Sequence, residues 1–161
     1  MAFLTLRDFL QELEQQGQLL RIKDETRLEP DLGAAGRAIS NLVKDAAPAL
    51  LFENLHGYRD ALIALNVHGS WSNHAILMGM PKNTPVKEQF FEFVRRYQNF
   101  PGEVVERATA PWQEVVVEGA DNINLFDVLP LFRLNRNDGG FYLDKTCVVS
   151  RDPDDPENVD K

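Results

Sequence analysis

Cysteine is nearly absent: Cys147 is the one thiol, so no disulfide can close within this chain. Long apolar runs are missing too, and no stretch approaches the roughly 18 residues that a membrane-spanning helix requires. The opening residues, Met1 to Asp8, contain no basic region followed by an apolar one, so no secretory signal is expected. Together these absences favour a cytoplasmic location. Basic charge is in deficit, with 17 Lys and Arg against 25 Asp and Glu and a net charge of −8. A binder of nucleic-acid backbones needs clustered cations to displace counterions, and an anionic membrane surface makes the same demand. Neither partner is expected. There is no Gly-Lys-Ser or Gly-Lys-Thr phosphate loop. Gly33-Ala34-Ala35-Gly36 lacks the third glycine and the preceding strand of a dinucleotide fingerprint, so it reads as close helix packing.

What remains is an ordinary globular composition, 43% hydrophobic and 26% charged over 161 residues, enough for one domain and the start of a second. Thr5 with Asp8 three residues on predicts a capped helix through Leu6, Phe9, Leu10 and Leu13, ended by Gly17. Leu19, Leu20 and Ile22 fit a short strand. Pro30 suits a first helical position, predicting a helix through Leu42. Ala49–Phe52 and Ala61–Val67 are apolar runs of strand length, predicted to pair as a hairpin. Ser72 is placed as the cap of a short helix through Leu77. Thr84-Pro85 opens a longer one with Val86, Phe90, Phe93, Val94 and Tyr97 as its inner stripe. Val115–Val117 and Tyr142–Ser150 read as strands. Helices mixed with strands in this order predict an α/β (α+β) fold.

The chemistry-bearing residues are few. His68 and His74 are six apart, about 240° around a helix and so off any common face. On a strand they would lie roughly 20 Å apart, whereas a loop could bring them together as metal ligands. His56 sits in a polar turn. Cys147, flanked by apolar residues, reads as an inert buried thiol. Glu12 with Glu14, and Asp152 with Asp154 and Asp155, read as solvated faces. No catalytic constellation emerges from residue chemistry alone.

Longer motifs say more. Gly69-Ser70-Trp71-Ser72-Asn73-His74 is followed by Met80-Pro81-Lys82-Asn83-Thr84-Pro85-Val86-Lys87. Then come Ile123-Asn124-Leu125-Phe126-Asp127-Val128-Leu129-Pro130-Leu131-Phe132-Arg133-Leu134 and Asp138-Gly139-Gly140-Phe141-Tyr142-Leu143-Asp144-Lys145. In this order they resemble the UbiD family of reversible decarboxylases, above all the large (C) subunits that act on 4-hydroxybenzoate, vanillate and phenolic acids. The ending departs from it: Asn158-Val159-Asp160-Lys161 stands where the family usually has Asn-Phe-Gly-Lys.

The resemblance implies non-oxidative decarboxylation of hydroxylated aromatic acids by prenylated FMN, with a divalent metal (manganese or magnesium) and potassium. The organic chemistry is the cofactor's, and the protein positions it. It also implies a flavin prenyltransferase small subunit as cofactor source and a homo-oligomer. Members run several times longer than this chain, so residues 1–118 are expected to be the N-terminal α/β domain and 119–161 the opening strands of the split-barrel flavin-binding domain. The family's catalytic and metal-binding residues are expected beyond Lys161, which leaves no catalytic or metal ligand here and only Lys145 as a residue near the cofactor. The chain is expected to be inactive by itself. The alternative is a stand-alone assembly module that docks onto a full-length decarboxylase, and a weaker one is a small metal enzyme using His68 and His74. Residues 130–161 are expected to be mobile or ordered by a neighbouring copy, because the barrel partners of Tyr142–Ser150 are missing.

Overall fold

The computed structural model describes residues 3, 5–43, 47–99, 115–143, 150–155 and 159–160. Helix α1 spans Leu6–Gln15, and the Thr5 hydroxyl accepts from the Asp8 amide while the Asp8 carboxylate accepts from the Thr5 amide. Two otherwise orphaned donors are thereby satisfied, which is why the helix starts there. Strand β1 (Leu19–Ile22) follows, then helix α2 (Gly33–Val43), strand β2 (Ala49–Phe52) and strand β3 (Ile63–Leu65). β1 runs parallel to β2, with Leu19 opposite Ala49, and β3 runs antiparallel to it, with Phe52 opposite Ile63. Parallel pairing demands a crossover, and α2 supplies it.

All four residues of β2 are buried. Leu50 and Phe52 pack with Leu32, Leu55 and Ile63 on the α2 side, whereas Ala49 packs with Phe9, Leu13 and Ile76 on the side of α1 and α3 (Trp71–Leu77). The central strand thus sits between two helical layers, and a strand covered on both faces must be apolar throughout rather than alternating. That is the mixed α/β architecture the order of predicted helices and strands implies.

Several boundaries differ from expectation. Regular helix begins at Gly33 rather than Pro30, because Glu29, as the residue before a proline, is held extended and an irregular turn over Leu28–Leu32 intervenes. The predicted hairpin is an antiparallel pair, but residues 53–62 between its strands form a long connection in which Leu55 bridges both Thr26 and Tyr58. β3 stops at Leu65 because Asn66 takes the left-handed conformation (φ 55°). The cap of α3 is Ser70, not Ser72: Ser70 is extended, and its hydroxyl accepts from the Asn73 amide.

The largest correction is helix α4 (Val86–Gln98). Most of its supposed inner stripe faces solvent, with Phe90 60%, Phe93 58% and Tyr97 76% exposed and only Val94 half-buried, while Gln89 is buried. Polar anchors turn that face inward, because the Gln89 amide donates to the Trp71 and Thr84 carbonyls and the Arg96 guanidinium to the Met78 carbonyl. Val115–Val117 is irregular and exposed, not a strand. A single turn, α5 (Leu125–Val128), follows, and β4 (Ser150–Arg151) pairs antiparallel with β5 (Val159–Asp160). Of the predicted Tyr142–Ser150 strand, residues 144–149 lie outside the described residues, and Tyr142 and Leu143 are irregular.

Candidate functional site

Two features bring chemistry-bearing side chains together. In the first, residues 126–134 fold back onto the α2 side of the sheet. Phe132 packs against the core cluster around Phe52, and the Tyr58 hydroxyl donates to the Phe126 carbonyl at 2.7 Å. Glu29 receives the Arg133 amide at 2.9 Å and its guanidinium at 2.8 Å. Gly33 makes the close approach possible, since a Cβ there would collide with the Leu134 carbonyl oxygen, whereas one at Gly36 would meet Leu65 at an ordinary 3.7 Å. Only the first glycine of the Gly-Ala-Ala-Gly motif is sterically required. Of the stretch 130–161, residues 132–134 thus pack against their own chain.

The second feature is a cavity of about 300 Å³ lined by His68, Gly69, Ser70, Trp71 and His74. The turn from Asn66 to Gly69 builds it. Gly69 donates its amide to the Asn66 carbonyl at 2.8 Å, and a Cβ on Gly69 would press on Asn66. The Asn66 side-chain amide is tied to the Gly36 carbonyl and the Ser40 hydroxyl, which fixes the turn from α2. His68 is thereby thrown across the start of α3, and its ring centroid lies 5.1 Å from that of His74. Helix and strand geometry both keep these histidines apart, and the turn brings them together. Phe9 flanks His68 at 6.0 Å and Trp71 flanks His74 at 5.3 Å.

The other candidates are dispersed. Among the described residues His56 meets Glu25, at 3.3 Å on the surface. Lys145 and Cys147 lie outside the described residues. Carboxylates with a resolved shift all move downward. Arg21 lowers Glu14, Arg133 lowers Glu29, Arg27 lowers Asp31, and Arg95 with Arg96 brings Glu92 to about 2. A general acid working near neutrality needs a raised carboxyl, so these four are permanent charges that organise structure. Glu14, read from sequence as merely solvated, is in fact held by Arg21, which also bonds Glu53.

Nor do the described residues fit the flavin or its ions. No group of three or more His, Cys, Asp or Glu comes together among them. A second cavity, about 500 Å³, offers a flavin phosphate one cation, Lys82, whose ammonium already donates to the Gln16 carbonyl. Among the described residues no helix is long and apolar enough to cross a membrane.

Residues 10–93 match the N-terminal domain of 3-octaprenyl-4-hydroxybenzoate carboxy-lyase, and residues 103–160 match its Rift-related domain. The chain belongs to the UbiD family. It is 58% identical over 161 residues to a phenolic acid decarboxylase of Bacillus subtilis (strain 168), covering all of this chain and 33% of the relative. Among solved structures, vanillic acid decarboxylase from Sedimentibacter hydroxybenzoicus, in its open form with truncated ShVdcD, superposes with a TM-score of 0.85 and 48% identity. That match covers 98% of this chain and 34% of the relative. An evolved dimeric form of the UbiD-class enzyme HmfF from Pelotomaculum thermopropionicum, in complex with prFMN, reaches 0.73 at 27% identity, over 93% of this chain and 33% of its own. The chain spans about a third of the length of these relatives. In a UbiD protein the Arg133 clasp therefore joins the Rift-related domain to the N-terminal one.

Proposed function

We propose that this chain is the N-terminal part of a reversible, non-oxidative decarboxylase of hydroxylated aromatic acids of the 4-hydroxybenzoate type, inactive by itself. The observation that carries the reading is the 58% identity to a phenolic acid decarboxylase over the whole of this chain. In this reading residues 1–118 are the N-terminal α/β scaffold and 119–161 begin the split-barrel flavin domain, with Lys145 on the cofactor side. Prenylated FMN, a divalent metal (manganese or magnesium) and potassium bind the longer protein, and a flavin prenyltransferase subunit supplies the cofactor. A cytoplasmic homo-oligomer completes the proposal. The neighbour in complex with prFMN supports the cofactor, and the dimeric neighbour supports assembly.

The role of the present residues is positional. The layered core holds β2 and α2, and Glu29 and Gly33 hold the Arg133 segment from which the flavin domain continues. A chimera tests this reading directly. Replacing the matched third of the Bacillus subtilis relative by this chain, and supplying prenylated FMN, is expected to preserve carbon dioxide release from 4-hydroxybenzoate. A folded, cofactor-loaded chimera without turnover overturns the assignment, and turnover by this chain alone overturns its inactivity.

A second reading rests on the exposed aromatic face of α4, formed by Phe90, Phe93 and Tyr97. Contiguous apolar surface of this kind marks contact sites, and as a stand-alone module the chain would dock a full-length decarboxylase through it. Failure to co-elute with that enzyme on size exclusion removes this alternative.

A further inference from the structure

The outward face of α4 has the form of one half of a helix pair. Val86, Phe90, Phe93 and Tyr97 recur at steps of four, three and four, which is the spacing of a two-helix seam. All four are exposed, and Phe91 widens the strip by meeting the Phe90 ring edge-on at 5.8 Å. We propose that this face pairs with the same face of a second copy of the chain, the two α4 helices running antiparallel about a two-fold axis between Phe90 and Phe93.

Three observations point to a second copy rather than to a different protein. The first is fit. Antiparallel pairing about that axis sets Phe90 against Phe93 of the partner subunit, and the small Val86 against the larger Tyr97 of the partner subunit, so that volumes complement along the seam. Parallel pairing would put like on like and align the two helix dipoles. The second is charge. Glu88, Glu92, Arg95 and Arg96 fall outside the seam by helical geometry, and Glu92 engages both arginines within its own helix. The seam therefore offers little to a charged partner. The third is area. Aromatic side chains bury about 150–250 Å² each, so the exposed parts of the four rings and Val86 offer about 500 Å² per copy. A pair then buries about 1,000 Å², where specific interfaces begin. The face is also set before pairing, because Gln89 and Arg96 pin α4 from behind and the Phe93 and Tyr97 rings stack at 6.2 Å. That lowers the ordering cost of association.

An interface of this size is weak, so the dilute chain used for unfolding measurements is monomeric and its rings stand in water. The pairing supplies an interface for the homo-oligomer proposed above, yet it is read as mass rather than turnover and so fails or holds separately from the decarboxylase assignment. Sedimentation equilibrium of the full chain from about 1 to 500 µM is expected to show the mean mass rising from one chain toward two, with a midpoint at about 10–100 µM. Phe90→Glu and Phe93→Glu should each leave the circular dichroism unchanged and weaken pairing at least about tenfold, whereas Leu62→Glu, also exposed, should leave pairing unchanged. Orientation is read in Cys147→Ser chains. A mixture of Val86→Cys and Tyr97→Cys chains is expected to cross-link on mild oxidation, and neither with itself, because like positions stand about 16 Å apart along an antiparallel pair. Should a glutamate variant fail to fold, that mixture is the deciding measurement. A mass that stays at one chain, pairing unmoved by the Phe90 and Phe93 substitutions, or cross-linking of like with like overturns the proposal. Co-elution of a still monomeric chain with a full-length decarboxylase overturns it too, and assigns the face to that enzyme.

Discussion

The sheet with its two helical layers and the folded-back segment 126–134 lie against each other but are held by different forces. The sheet region is apolar and continuous: Leu13, Leu32, Leu50 and Phe52 are almost wholly buried, and their contribution scales with area removed from water. The segment buries far less. It is attached by an ion pair, a tyrosine hydroxyl, one phenylalanine and the space left by a missing Cβ. Burial stabilises a region without specifying its register finely, whereas the polar clasp specifies position while adding little stability. A domain that must deliver the next one to a fixed place needs both.

That contrast can be broken from the apolar side first. Phe52→Ala removes the largest fully buried side chain and is expected to cost about 3–5 kcal/mol, read as a fall in the urea midpoint at unchanged slope. Gly33→Ala comes next. Its methyl would strike the Leu134 carbonyl, at an overpacking cost of about 1–3 kcal/mol. Alanine gains about 1 kcal/mol of helix propensity over glycine at the same position. A net gain on denaturation would mean that the Leu134 contact is absent in solution.

Acidification should release the clasp and spare the sheet. The folded-state carboxyl of Glu29 is depressed by its Arg133 partner from an ordinary 4.5, so the unfolded chain binds protons more readily. Its contribution is therefore complete above about pH 4.5 and is lost as pH falls through the lower folded value. The Arg133 Nε–H resonance is expected to move over that window while core amides such as that of Leu50 hold. Glu29→Gln should abolish the movement. The smallest effect is expected on α4, where Phe93→Ser should change stability by no more than about 0.5 kcal/mol, because that ring is already largely in water. A loss matching that of Phe52→Ala would show the α4 face to be covered in the protein as it exists in solution.

Local signals in the sequence carried the elements well. Thr5 with Asp8 marked α1, and the unbroken apolar run Ala49–Phe52 marked a strand buried on both sides. The misreadings arose where a distant partner overrode a local pattern. Helical spacing identified the Val86–Tyr97 stripe but could not tell that Gln89 would find the Trp71 carbonyl and turn the stripe outward. Val115–Val117 has strand composition, yet it has no strand partner among the described residues. The His68–His74 approach depends on one left-handed residue, Asn66, followed three positions later by glycine. That combination was the signal available, and spacing arguments restricted to regular helix and strand pass over it. The Glu29–Arg133 pairing spans 104 positions and leaves no local trace. Family-length motifs, by contrast, were readable without any structure.

The parallel pairing of β1 with β2 also sets an order of events during folding. Leu19 must wait for Ala49, 30 positions later, and α2 has to form or collapse in between before a single ladder bond can close. Loop closure is therefore paid in entropy before the pairing returns anything, which slows this step relative to the local capping of α1. On a ribosome the first helix emerges with Phe9 and Leu13 lacking their partner strand until Phe52 has been made. For that interval the nascent chain displays an amphipathic helix with nothing to cover it, and this is the stage at which the protein is most exposed to chaperone capture or aggregation.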